Sequence, residues 1–193
     1  MKKVILAFFL VTISSTSFAS KYFVGVAKTN ITPKLELRSE VCMGGYGGPF
    51  QKCGLVDVDS RLTARSVAIS GKDSTAVFTS IDAPSISKRI LTEIKNLVQQ
   101  RTNIDTSNLF ISATHTHAGT DLLGAWGGIS EEYKTFVVKR VARSIQRALK
   151  HQESAKIFTS VTNIAVENRR GWEQVDSSVN ILQAVSKYTN DIP

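Results

Sequence analysis

The sequence has 193 residues, enough for one domain with a hydrophobic core, and a formal net charge of +8. Its positive charges are spread along the chain, without a phosphate-binding loop or interleaved aromatic and basic residues, so a nucleic-acid-binding protein is not expected. The absence of internal repeats and low-complexity segments also excludes a repeat protein.

Residues 1–19 have the pattern of a secretory signal peptide, with an ordinary buried N-terminal element as the alternative. Lys2 and Lys3 precede an apolar segment too short to span a bilayer, and Ser17 and Ala19 supply the small residues of a cleavage site. Cleavage after Ala19 lowers the net charge to +6 and leaves residues 20–193 as one domain. We therefore expect a secreted or periplasmic protein whose moderately basic surface favours peripheral contact with anionic membranes or with anionic envelope polymers.

The first strand is predicted over Tyr22–Ile31, and Lys34–Ser60 is expected to be a loop. The four glycines within Met43–Pro49 allow either a flexible surface loop or a close approach of the backbone to a ligand or strand. Cys42 and Cys53 predict a disulfide bond worth about 3 kcal/mol. A metal site is the alternative, although the two thiols lack the usual spacing of zinc ligands.

Two strands, Arg61–Ser70 and Thr75–Ile81, are predicted to form a hairpin through the turn at 71–74. Asp82 follows the second strand, where its carboxylate would either support a metal ligand or cap the next helix. That helix is predicted over Ser85–Gln100 from an apolar stripe at helical spacing: Ile86, Ile90, Ile94, Leu97 and Val98.

The segment Leu109–Gly119 is predicted to be a buried strand that leads into two histidines. In an extended strand, His115 and His117 would project from one face roughly 6 to 7 Å apart, a spacing that suits either a first-row metal ion or one metal ligand beside one hydrogen-bonding partner. A strand end followed by a glycine-rich loop is also where α/β proteins place ligands. The alternative is a pair of ordinary polar residues at a strand end. In that loop, Trp126 would either wall an apolar groove or anchor the chain.

A second helix is predicted to begin after Ser130, with an apolar face packed inward and a basic face in solvent. His151 falls at its end and is not expected to bind metal. Strands over Lys156–Val166 and Val179–Val185 complete the pattern. This order of strands and helices predicts an α/β fold, a mixed β-sheet layered with helices. The sequence stops where another strand would be expected, which suggests truncation at the C-terminus.

Several segments, in order along the chain, resemble the N-terminal part of the neutral/alkaline non-lysosomal ceramidases. The similarity covers Val24–Pro33, Met43–Gly47, Leu62–Ser66, Thr79–Asp82 and Ser112–Gly119, the last close to the family signature Thr-His-Thr-His-Ser/Ala-Gly. Asn168-Arg169 resembles a later family element.

The resemblance implies a Zn²⁺-dependent amidase that splits ceramide, or a related N-acyl lipid, into sphingosine and fatty acid. It assigns His115 as a zinc ligand and places His117 and Arg169 at the catalytic centre, with Arg170 as the alternative to Arg169. The sequence contains neither a nucleophile-elbow serine nor a Cys–His pair, which favours metal-assisted hydrolysis.

The family's remaining zinc ligands, a His, a Glu and a Tyr, come from downstream segments that these 193 residues do not contain. Three hypotheses therefore stay open. The chain is the N-terminal part of a ceramidase-like hydrolase, an exported metal- or lipid-binding module without catalysis, or a remnant without function.

Overall fold

The computed structural model describes residues 22–55, 57–168, 171 and 173–188. The predicted signal peptide, residues 1–19, lies outside these ranges. The strands are β1 (Tyr22–Asn30), β2 (Thr63–Ser70), β3 (Thr75–Ile81), β4 (Leu109–Ala113), β5 (Glu153–Asn163) and β6 (Ser178–Ser186). The α-helices are α1 (Lys88–Gln99) and α2 (Glu131–Lys150), and short 3-10 helices cover Leu35–Glu40, Gly48–Phe50 and Thr106–Asn108.

The six described strands form one mixed sheet in the order β4-β3-β2-β1-β5-β6. β3 and β4 are parallel, whereas the other neighbours are antiparallel. The mixed α/β sheet predicted from the sequence is confirmed, and so is the hairpin of β2 and β3. The β3–β4 crossover contains α1, as parallel neighbours require.

Both helices begin where a serine side chain accepts a backbone hydrogen bond. Ser87 accepts from Ile90 N, and Ser130 accepts from Tyr133 N. Each helix then buries residues at helical spacing: Ile90, Ile94 and Val98 on α1, and Tyr133, Val137, Val141 and Ile145 on α2. The amphipathic faces predicted from the sequence are therefore the faces that form the core.

α2 packs on β1 and β2, with α1 beside it. On the sheet, alternate residues Ala64 and Ala68 are buried, and Ser144 of α2 donates a hydrogen bond to the Ala64 carbonyl. The opposite face carries a row of apolar side chains in register across four strands: Val26, Val67, Phe78 and Phe110. Phe78 and Phe110 stack with their ring centroids 5.1 Å apart. Helices thus cover one face of the sheet.

Tyr133 connects the core to the loops at the carboxyl end of the parallel strands. Its buried phenol donates to the Ile31 carbonyl (2.6 Å), and it lies 3.3 Å from Thr120 Oγ1. Burial raises the pKa of this phenol well above its ordinary value, so it stays neutral. The described residues include no helix that is both long and apolar enough to cross a membrane.

Candidate metal and catalytic site

The two histidines lie in a turn after β4, not on the strand. β4 ends at Ala113 because its neighbour β3 ends at Ile81, the residue paired with Ala113. Thr114 N donates one more bond to the Ile81 carbonyl (2.9 Å), and the backbone then turns with His115 at φ 62°. The prediction that His115 and His117 share a face of an extended strand is therefore wrong. A left-handed residue breaks the alternation on which it depended.

His115 is held by a backbone carbonyl from the neighbouring loop. Its Nδ1 lies 2.7 Å from the Pro84 carbonyl oxygen, just after β3. Because a carbonyl only accepts, Nδ1 carries the proton, and in the neutral ring Nε2 then keeps a free lone pair. This is the arrangement that orients metal-binding histidines in proteins. The His115 side chain is exposed, so Nε2 is accessible to a ligand from solvent.

His117 lies beside His115 even though the strand has ended. The ring centroids are 5.3 Å apart, with the planes at 67°. The Tyr46 ring approaches His117 edge-on at 6.2 Å. The turn thus brings the two predicted histidines together by a different route from the strand geometry.

The glycine segment packs against this turn. Gly45 has φ +90°, and a Cβ built on it would lie 2.2 Å from His117 Nδ1. Gly44 N donates to the Gly119 carbonyl (3.0 Å), which joins the glycine segment to the end of the histidine turn. Of the two interpretations of these glycines, a close backbone approach is the one seen at Gly45, but its neighbour is a histidine ring and not a ligand or a strand: a side chain at 45 would occupy the space of the imidazole.

A disulfide bond closes the base of the glycine segment. Cys42 and Cys53 are bonded, with their Cα atoms 3.9 Å apart, as predicted. Met43 N also donates to the Lys52 carbonyl (2.8 Å). Residues 43–52 therefore form a loop with a covalently fixed base, which we call the aromatic loop because it contains Tyr46 and Phe50.

Asp82 has neither of the roles predicted for it. Its carboxylate accepts from Thr63 N (2.8 Å) and Thr63 Oγ1 (2.7 Å), and Arg65 pairs with it at 3.3 Å. The helix that follows is capped by Ser87 instead. The hairpin register explains this, because Ile81 pairs with Ala64 and so places Asp82 beside Thr63. Asp82 fixes the start of β2 to the end of β3.

Asp121 is a structural residue of the site that the sequence analysis did not single out. It is buried, and its carboxylate accepts three backbone N–H bonds, from Gly124, Trp126 and Gly128. The Trp126 carbonyl also accepts from Gln51 Nε2 of the aromatic loop (3.0 Å). The backbone of Trp126 therefore joins its own loop to the aromatic loop. In the sequence, the only sign of this role is that glycines follow Asp121 after three and seven residues, at Gly124 and Gly128.

The remaining predicted site residue is an arginine. Arg169 and its alternative Arg170 lie outside the described residues. His151 is the C-cap of α2, and its backbone N–H donates to the Arg147 carbonyl. Within the described ranges, no three His, Cys, Asp or Glu side chains are placed to hold one metal ion. The described site offers two imidazoles.

Comparison with known proteins identifies the family. A sequence model described as neutral/alkaline non-lysosomal ceramidase, N-terminal, matches residues 22–171. The chain belongs to this family. A solved structure titled "Ceramidase complexed with C2" superposes with a TM-score of 0.73 at 21% identity. The neutral ceramidase from Pseudomonas aeruginosa gives a TM-score of 0.72 at 19% identity. Both comparisons cover 90% of this chain, which spans 30% of the length of either ceramidase.

The ceramidase-like segments of the sequence meet in the folded chain. Met43–Gly47 packs on Ser112–Gly119 through Gly45 and His117, and Thr79–Asp82 leads directly to the Pro84 carbonyl that holds His115. Segments separated by about 30 residues or more in the sequence thus form one corner at the carboxyl end of β3 and β4. This corner is the candidate site.

Proposed function

We propose that this ceramidase-family chain supplies part of a Zn²⁺-dependent amidase site that hydrolyses ceramide, or a related N-acyl lipid, to sphingosine and fatty acid. The observation that carries the proposal is the orientation of His115. A backbone carbonyl occupies its Nδ1, which leaves an accessible Nε2 beside a second imidazole.

The donor atoms at this corner fit zinc. Imidazole nitrogen is one of the ligands that zinc prefers, and a catalytic site usually combines three protein ligands with one open position. The described residues offer His115 as one such ligand, and the others would come from polypeptide outside the described ranges. When bound, zinc would polarise the amide carbonyl and lower the pKa of a water molecule.

The roles of the chain's own residues follow from their positions. His115 would hold the metal through Nε2, while Pro84 keeps its ring in the required tautomer. His117 would stay free of direct ligation and hold a water molecule or a substrate hydroxyl by hydrogen bonding, with Gly45 and Tyr46 fixing its ring. Arg169 would supply a positive charge to the oxygen that becomes negative during attack on the amide.

An exported metal- or lipid-binding module without turnover is the second candidate. It is favoured by the site as the described residues form it, since the two imidazoles they supply fall short of the three ligands of catalytic zinc. Either function would operate outside the cytoplasm if residues 1–19 direct export. In both, the basic surface would favour contact with anionic membranes that contain the lipid.

The test compares zinc content and amide hydrolysis in two histidine variants of the protein made from its whole reading frame. We expect His115→Asn to lose bound zinc and hydrolysis of a fluorescent short-chain ceramide. The matched control, His151→Asn, removes an exposed imidazole at the helix end and should keep both. Stoichiometric zinc in His115→Asn would refute the ligand assignment. Bound zinc without turnover in the wild type would favour the binding module.

A further inference from the structure

The aromatic loop continues from the candidate site into an apolar surface that the proposed chemistry does not use. Gly45 and Tyr46, at its start, contact His117. The chain then passes through a 3-10 helix, Gly48–Phe50, and returns to Lys52. Residues 45–47 and 49–52 line a concavity of about 600 Å³, within the size range of small-molecule sites.

The walls of this concavity suit hydrocarbon. Tyr46, Pro49 and Phe50 supply ring and aliphatic surface, and Phe50 is 74% exposed. The Lys52 ammonium lies 4.3 Å from the centroid of the Tyr46 ring, so its charge is directed at an aromatic face. A large aromatic side chain held in solvent beside a site gains free energy when a ligand covers it.

The loop is also held in place before any ligand arrives. The disulfide bond and the Met43–Lys52 hydrogen bond fix its base, and Gln51, next to that base, donates a hydrogen bond to the Trp126 carbonyl. A preorganised wall loses less conformational entropy on binding than a mobile one. The aromatic loop therefore has the rigidity of a binding surface as well as the composition.

We propose that the aromatic loop is the subsite for the fatty-acyl chain of the lipid amide, with Phe50 as the residue that distinguishes long chains from short ones. This inference rests on the proposed function. The acyl side of a ceramide is hydrocarbon from the first carbon beyond the carbonyl, whereas the sphingoid side begins with hydroxyl groups. An apolar surface that starts at the ring of His117 matches the acyl side.

The kinetic test uses the whole protein with two substrate series, one varying the acyl chain and one varying the sphingoid chain. Phe50→Ala should lower kcat/KM about tenfold for long acyl chains and leave the shortest acyl chain unchanged. Leu35→Ala is the matched control. Leu35 is also 74% exposed, but it lies on the separate 3-10 helix Leu35–Glu40 and should show no effect.

An equilibrium measurement separates this inference from the proposed function. Binding of dodecanoate, which carries the acyl chain without an amide, should weaken about tenfold in Phe50→Ala and stay unchanged in Leu35→Ala. A wild type that binds dodecanoate in this way but hydrolyses no amide would contradict the proposed function alone. Equal binding by wild type and Phe50→Ala, or an effect that follows sphingoid length, would overturn the acyl subsite.

Discussion

Replacing Gly45 by alanine should displace the ring of His117. The added Cβ would lie 2.2 Å from Nδ1, whereas ordinary contacts begin at 3.4 Å, so the ring or the loop must move by more than 1 Å. The positive φ adds a backbone cost of about 1–2 kcal/mol, and overpacking adds about 1–3 kcal/mol. We expect Gly45→Ala to lower the free energy of unfolding by about 2–5 kcal/mol, the sum of these terms.

Gly48→Ala is the control, because Gly48 also has a positive φ (+58°) but no atom lies within 4 Å of its built Cβ. Both variants are compared with the wild type by urea titration. Gly48→Ala should lose only the backbone contribution to the free energy of unfolding, about 1–2 kcal/mol. A change in the NMR resonances of His117 should accompany only Gly45→Ala. If both variants lose the same stability and the His117 resonances stay in place, the reasoning about ring contact is wrong.

Three further predictions concern the histidine turn, the loop held by Asp121 and the Glu131–Lys134 ion pair on α2. His115→Asn should be more stable than His115→Ala by about 1 kcal/mol, because asparagine tolerates the left-handed backbone that alanine does not; equal urea midpoints would contradict this. Asp121→Ala should lower the free energy of unfolding by roughly 3–5 kcal/mol, since three backbone N–H groups lose the buried carboxylate that accepts from them, and Asp121→Asn should cost about half of that. Denaturant titrations that give equal losses for the two variants would exclude the hydrogen-bonding role. The hydrogen bond from Lys134 lowers the pKa of Glu131 below its ordinary 4.5, so the pair stabilises the fold above that pH and loses the contribution as pH falls through the lowered value. Lys134→Met should therefore flatten the acid side of a plot of melting temperature against pH. An unchanged slope would show that the Glu131–Lys134 pair does not contribute to stability.

Much of the fold was predictable because its elements have clear periodic patterns. β1, the β2–β3 hairpin and both helices lie close to their predicted ranges, since alternation and helical spacing report directly on burial. The disulfide bond was predictable from cysteine usage. Even the contact of Asp82 with Thr63 follows from the hairpin register, because a turn at 71–74 fixes which residues pair.

The geometry of the site was less predictable because it depends on contacts between distant segments. The sequence does not show that β4 loses its pairing partner at Ile81, so the alternation through His115 and His117 ended earlier than expected. The Pro84 carbonyl and the backbone of Gly45 have no sequence signature for what they contact. The histidine pair was identified from residue type and family resemblance, whereas its shape comes from tertiary packing.

Asp121 makes the loop from Leu122 to Ile129 suited to redesign. One buried carboxylate fixes the path of that loop from within, through backbone groups alone. The outward side chains of Leu123 and Ala125 contribute none of these bonds and are exposed. Libraries built at those two positions would alter the exposed surface of that loop while leaving its frame intact. Because Trp126 joins the loop to the aromatic loop, these positions are starting points for engineering ligand preference.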